Sequence, residues 1–175
     1  ALNGPLPPSP AIAIVAVKPQ MMGHALPQLQ SLENTLLLSI AAGTSIAAFE
    51  QSFPGAAIVR AMPNTPAAIG QGISAMVGNA AITAADLDLA EGILRAVGEV
   101  VRLDAEDQID AVTGLSGSGP AYVFHLIEGM AAAGVAQGLD ADLALKLATH
   151  TVAGAGALAI ASDEGPAQLR INVTS

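Results

Sequence analysis

The chain of 175 residues contains no cysteine and no tryptophan, and it has only three phenylalanines and one tyrosine. Without cysteine there is no disulfide framework, thiol nucleophile or Cys-based zinc site, and a reducing compartment is permitted. Phe49, Phe53, Phe124 and Tyr122 are too few to build a base-stacking platform for single-stranded nucleic acid. Positive charge is also scarce: six Lys and Arg against 15 Asp and Glu give a net charge of -9, which repels phosphate backbones and anionic membranes. Nucleic acid and lipid surfaces are therefore not expected partners. No Lys or Arg precedes Lys18, and Pro5, Pro7, Pro8 and Pro10 interrupt the opening residues, so no secretory signal is expected there. His125, Glu128, His150 or Thr151 break the longer apolar stretches before they reach membrane-spanning length, and a soluble, cytoplasmic protein is expected.

What the chain does have is apolar and small. Hydrophobic residues make up 52% and charged residues only 12%, a balance that excludes disorder as the main state. Eighteen glycines and many alanines suit backbones that approach one another or a ligand closely. Ala11 to Val17 is a continuous apolar run that stops at Lys18-Pro19, as a strand buried on both faces does. Met21, Met22, Leu26, Leu29 and Leu32 recur at helical spacing around Pro27, which kinks or delays the helix. Leu36 to Ala41 is a second strand, Ser45 caps a short helix through Phe53, and Ala57 to Ala61 is a third strand. This alternation predicts a parallel sheet with crossover helices. Ile73 to Val77 adds a strand, Thr83 and Asp86 open a helix carrying Leu87, Ala90, Ile93, Leu94 and Val97, and Glu99 to Leu103 reads as an edge strand.

After Asp104 only Ala-rich helical stretches remain: one near 106–112, one from about Ser118 to Gln137 and one from Asp140 to about Ala161. The organisation is thus a sheet domain over 1–103 and a helical domain over 104–175. Gly138 closes one helix and Asp140 caps the next, while Ala148, Gly154 and Ala155 permit close helix contact or a dimer interface.

Four segments are able to carry chemistry: Ala16 to Pro19, Ser39 to Gly43, Ala61 to Pro66, and Gly114 to Tyr122. The first three follow predicted parallel strands, at the edge where a doubly wound sheet forms its crevice. Taken singly, each is ordinary: Lys18 is equally a solvated loop residue, and Gly43 is punctuation after a strand. The Gly114 to Tyr122 segment reads either as an anion site at a helix start or as a tight turn between helices. Ser116 and Ser118 lack the spacing of a nucleophile elbow. His24, His125 and His150 form no metal-ligand spacing; His125 with Glu128 reads as a polar pair on a helix, and no metal is expected. Asp104, Glu106, Asp107 and Asp110 read as an acidic first turn of a helix.

Taken together and in order, AVKPQ, SIAAG, VRAMPNTPA and GLSGSGPAYVF closely resemble pyrroline-5-carboxylate reductase, the last enzyme of proline biosynthesis. The resemblance runs from about residue 12 to residue 175. It implies a Rossmann-like α/β sheet domain, an all-α dimerisation domain, and reduction of 1-pyrroline-5-carboxylate to L-proline with NADPH or NADH in a homodimer or larger homo-oligomer. By resemblance, Ala16, Val17, Lys18 and Pro19 line the cofactor near its pyrophosphate and nicotinamide, Ala41 and Ala42 lie beside the nicotinamide ring, and Met62, Pro63, Asn64 and Thr65 shape the pocket. Val173, Thr174 and Ser175 would begin the loop that holds the substrate carboxylate, and Glu128 matches a helix position of the family.

The chain departs from the family's pattern in having no G-x-G-x-x-G, the turn that belongs to a first βαβ unit. Ile171 stands where the family commonly has an acidic residue, and the family's candidate catalytic Thr belongs to a Pro-Gly-Gly-Thr-Thr loop that would follow residue 175. The expectation is accordingly a reductase sequence incomplete at both ends, with both domains truncated. Two other readings stand beside it. One is an inactive fragment acting only as an oligomerisation module. The other is a related hydroxy-acid dehydrogenase, for which Lys146 would be the candidate catalytic lysine.

Overall fold

The computed structural model describes residues 9–29, 32 and 34–174. The chain forms two compact units, one ending at Ser118 and one beginning at Gly119.

The first unit is built on a five-stranded sheet whose spatial order follows the chain: β1 (Ile12–Val15), β2 (Leu36–Ser39), β3 (Ile58–Met62), β4 (Gly72–Gly78) and β5 (Gly98–Arg102). Helices α1 (Met22–Leu29) and α2 (Ile46–Ser52) cross between the first three strands, which pair in parallel. Pro27 lies inside α1, which starts late behind a 3-10 turn at Pro19–Met21. The parallel pairing predicted from the alternation holds for β1, β2 and β3, whereas β4 runs antiparallel to β3, so the sheet as a whole is mixed. The physical reason is the connection: between Met62 and Gly72 there is only a 3-10 turn, Thr65–Ile69, whereas a parallel crossover takes about a dozen residues or more. Helix α3 (Ala84–Arg95) then carries the chain across to β5, which pairs in parallel with β4.

Strand periodicity divides the core between the two faces of the sheet. On one face Val15, Leu37, Ile58 and Val77 pack with Met22 of α1, Phe49 of α2 and Ile109 of α4 (Gln108–Val112). On the other, Leu36, Leu38, Val59, Ala61 and Met76 pack with Ala90 and Leu94 of α3. Phe49, Leu38, Ile58, Val59 and Met76 are wholly buried, and burying side chains of this size contributes about 1.5–3 kcal/mol each. Helix starts follow their caps: Ser45 Oγ accepts from the Ala48 N–H, and Thr83 and Asp86 form a reciprocal capping box. On the α3 surface Arg95 and Arg102 both bond Glu91, and these bonds hold its carboxyl below the usual carboxylate range.

The acidic stretch after β5 serves a long-range role. Glu106 Oε1 accepts from Arg60 Nη1 of β3 at 2.6 Å and from the Ile46 N–H at the start of α2 at 2.8 Å. It therefore ties β3 and α2 together, in place of the local helix-start role expected for it. α4 is followed by one π-helical turn, Thr113–Gly117, closed by the Ser118 N–H on the Thr113 carbonyl at 2.8 Å.

The second unit comprises α5 (Gly119–Ala136), α6 (Ala141–Ala161) and α7 (Pro166–Thr174); the last of these was not expected from the sequence. α5 and α6 form a hairpin. Gly138 takes the left-handed conformation at φ +96, and Asp140 caps α6 through the N–H groups of Asp142 and Leu143. Gly134 faces Ala144 so closely that a Cβ there would lie 3.1 Å from the alanine methyl. Ala144 and Ala148 are buried, while Leu143, Leu145, Leu147, Leu158 and Ile160 are exposed, Ile160 at 89%. α6 is long and apolar enough to cross a membrane by length and composition, which His150 and Thr151 were expected to prevent. Its charged residues, Asp142 and Lys146, are confined to its first turns, and the rest of the helix is too apolar for His150 and Thr151 to offset.

Candidate active site at the strand ends

The candidate site is defined by strand ends. A hollow of about 780 Å³ does lie against the sheet, but at the opposite ends of the strands, where Leu36 and Ala57 precede or open β2 and β3 and where Pro54, Gly55 and Asp86 line it. None of the three expected segments reaches it.

Because β1, β2 and β3 are parallel and in register, the residues that follow them emerge along one edge of the sheet. Ala16, Val17, Lys18 and Pro19 leave β1; Ile40 to Thr44 leave β2; Pro63, Asn64 and Thr65 leave β3. The first two exits are tied together by the Ile40 N–H on the Val15 carbonyl at 3.1 Å. Lys18 is extended and exposed, with φ -62 and ψ 146, ahead of the 3-10 turn that Pro19 opens. Ala16 and Ala42 are exposed, Val17 is half-buried and Ala41 is buried. Ser39, the last residue of β2, is fully buried and its Oγ accepts from the Ala41 N–H at 3.3 Å. Gly43 follows at φ +75, a left-handed position that favours glycine and turns the chain from β2 toward α2. The surface so formed is made of small side chains with one cation at its margin.

The third exit is the most ordered. Met62, Pro63 and Asn64 are half-buried and Thr65 is exposed. Asn64 Oδ1 accepts from the Ile73 N–H at 2.9 Å, its Nδ2 donates to the Ser116 carbonyl at 3.3 Å, and its own carbonyl accepts from the Ala67 N–H at 3.1 Å. The π-turn therefore lies against the same edge. Gly117 stands where a Cβ would meet the Met62 Cε at 2.7 Å. Within the turn, the Thr113 hydroxyl donates to the Ile109 carbonyl and the Ser116 hydroxyl to the Val112 carbonyl, so both are engaged by the preceding helix. Sequence reasoning placed Asn64 at the site but missed Ser116 as its partner, because residues 52 positions apart share no periodic signal.

In the second unit, Val173 and Thr174 end α7, where the Thr174 hydroxyl bonds back to the Arg170 and Ile171 carbonyls; Ser175 lies outside the described residues. Glu128 is exposed and stands 3.5 Å from His125 Nδ1, one turn away on α5. Lys146 is exposed on α6.

Residues 106–175 match the family model described as pyrroline-5-carboxylate reductase dimerisation. Over 165 residues the chain is 45% identical to the pyrroline-5-carboxylate reductase of Synechocystis, covering 94% of this chain and 61% of that protein. It is 41% identical to the pea (Pisum sativum) enzyme of the same name, over 94% of this chain and 60% of that one. The sequence and the fold match the pyrroline-5-carboxylate reductase family. Among solved structures, the Coxiella burnetii pyrroline-5-carboxylate reductase superposes with a TM-score of 0.89 at 37% identity, covering 94% of this chain and 63% of that one. The Plasmodium falciparum enzyme, solved with NADP bound, gives 0.86 at 33% identity, with the same coverage. The chain spans about three-fifths of the length of these relatives. The sheet is Rossmann-like, and the helical region matches the family model for reductase dimerisation, which supports homo-oligomerisation.

Proposed function

We propose that the protein carrying this chain reduces 1-pyrroline-5-carboxylate to L-proline with NADPH or NADH. The observation that carries the reading is the similarity to pyrroline-5-carboxylate reductases over 94% of the chain, from a cyanobacterium to a plant. The edge formed by the three strand exits suits a dinucleotide: Ala16, Ala41, Ala42 and Gly43 leave room for flat rings, and Lys18 offers a cation to a phosphate. The dinucleotide, when bound, supplies a hydride. The chain's task is then to hold that donor in place and to exclude water, since a protonated cyclic imine is already electrophilic and positioning supplies much of the rate.

In this reading Ala16, Val17, Lys18 and Pro19 bind along the pyrophosphate and nicotinamide, Ala41 and Ala42 pack against the ring, and Met62, Pro63, Asn64 and Thr65 shape the pocket between cofactor and substrate. Val173, Thr174 and Ser175 belong to the region that holds the substrate carboxylate. The division at residue 104 into a dinucleotide-binding part and a helical dimerisation and substrate part belongs to the same proposal. So does a cytoplasmic setting, which the absence of cysteine permits. The test is NADPH and NADH consumption by the purified protein with and without pyrroline-5-carboxylate. Substrate-dependent consumption with proline as product is expected; consumption of neither cofactor would contradict the reading.

A further inference from the structure

Asn64 sits among the residues assigned to the pocket, yet both ends of its amide are spent inside the protein. Its oxygen accepts from Ile73 and its nitrogen donates to Ser116. This pattern also orients the amide unambiguously, with the oxygen toward an N–H and the nitrogen toward a carbonyl. The β3–β4 ladder ends at the Met62–Ala75 pair, so the Asn64 side chain extends the contact between the two strands past the last backbone pair. Its other arm reaches the π-helical turn, the single one among the described residues, and such turns recur at functional positions because they displace the backbone locally. The close approach of Gly117 to Met62 shows that the turn is seated on the end of β3.

We infer that Asn64 is a positioning residue whose carboxamide clamps the π-turn Thr113–Gly117 onto the loop leaving β3, and so sets where Pro63 and Thr65 stand at the strand edge. It acts through those neighbours, without touching the cofactor itself; the link to turnover rests on the reductase reading above. No Asp, Glu, Lys, Arg or His occurs in the packed segments 62–73 and 113–118, so a carboxylate introduced at position 64 titrates without a charged residue in either segment.

The isosteric variant Asn64→Asp separates clamp from bulk. As a carboxylate it keeps the bond from Ile73 but sets a negative oxygen against the Ser116 carbonyl; as a neutral acid it regains a donor there. Amide hydrogen exchange on the whole chain is the readout, each variant compared with wild type at the same pH. At pH 8 exchange across 113–118 is expected to rise about 10-fold in Asn64→Asp, with the α3 amides unchanged. At pH 3, below the ordinary aspartate value of about 3.9, the rise should shrink to less than about 2-fold, while Asn64→Ala stays fast at both. Should neither variant fold, the wild-type chain still decides: one Asn64 Nδ2 proton should be protected from exchange. An Asn64→Asp variant like wild type at pH 8, a rise that acid does not reverse, a rise shared equally by α3, or an unprotected Nδ2 proton would overturn the clamp. In turnover, Asn64→Asp should lose about 10-fold in kcat at pH 8, with KM for NADPH moving less than about 2-fold. An unchanged kcat would overturn the positioning role. Absence of turnover in wild type would count against the reductase reading alone, since the exchange result does not depend on it.

Discussion

Glu106 shows how one side chain sets the relation between two segments that matter. Its carboxylate bonds Arg60 and the Ile46 N–H through the same oxygen, and Arg60 is only 11% exposed in its side chain. Removing one partner of such a pair leaves the other poorly compensated. Glu106→Gln keeps an acceptor but loses the charge, and is expected to cost about 2 kcal/mol of unfolding free energy in a denaturant titration. A cost near zero would mean that solvent replaces the carboxylate. Asp104, Glu106, Asp107 and Asp110 looked equivalent in sequence as helix-start acids. Nothing local distinguishes Glu106, because its partners lie 46 and 60 residues away. The sequence singled out Asn64 because two prolines fix it directly after a strand; its side-chain partners Ile73 and Ser116 were not legible there.

Among elements, the strands and their caps were readable wherever the cause is local. Ser45 and the Thr83–Asp86 box start α2 and α3 as their spacing predicts, and apolar runs locate β1, β2 and β3, with β1 shortened to Ile12–Val15. Strand direction was not carried by those runs, but the short Met62 to Gly72 connection held the signal. The π-turn and α7 were missed because a Gly/Ser-rich segment and a short polar helix have no strong apolar stripe. Within the β4–β5 pair, Gly98 stands opposite Gly72 at φ +143, and a Cβ there would collide with the Gly72 carbonyl. Gly98→Ala is therefore expected to destabilise the first unit by about 2–4 kcal/mol, read as a lowered denaturation midpoint. A variant as stable as wild type would show that the β5 edge shifts freely.

For the whole molecule, the helical unit is the part least satisfied by its own contacts. α6 buries Ala144 and Ala148 yet leaves Leu143, Leu145, Leu147, Leu158 and Ile160 exposed. Leu143, Leu147 and Leu158 share one face of the helix and Leu145 and Ile160 another, and exposed apolar side chains in that number call for a covering surface; the match to a dimerisation family supports a second copy of the chain. Sedimentation equilibrium is expected to give a multiple of the 17.3 kDa chain mass, and Leu147→Glu to lower it. A monomeric wild type, or a variant that assembles as wild type does, would contradict that role for α6.

The claim on which the rest depends is the reaction. The most direct test is to incubate the purified protein with NADPH and pyrroline-5-carboxylate, following loss of the reduced cofactor and appearance of proline, with NADH in parallel. The account predicts cofactor loss that requires the imine and matches proline formed one for one. Cofactor loss independent of the imine, or none with either nucleotide at any protein concentration, would contradict it.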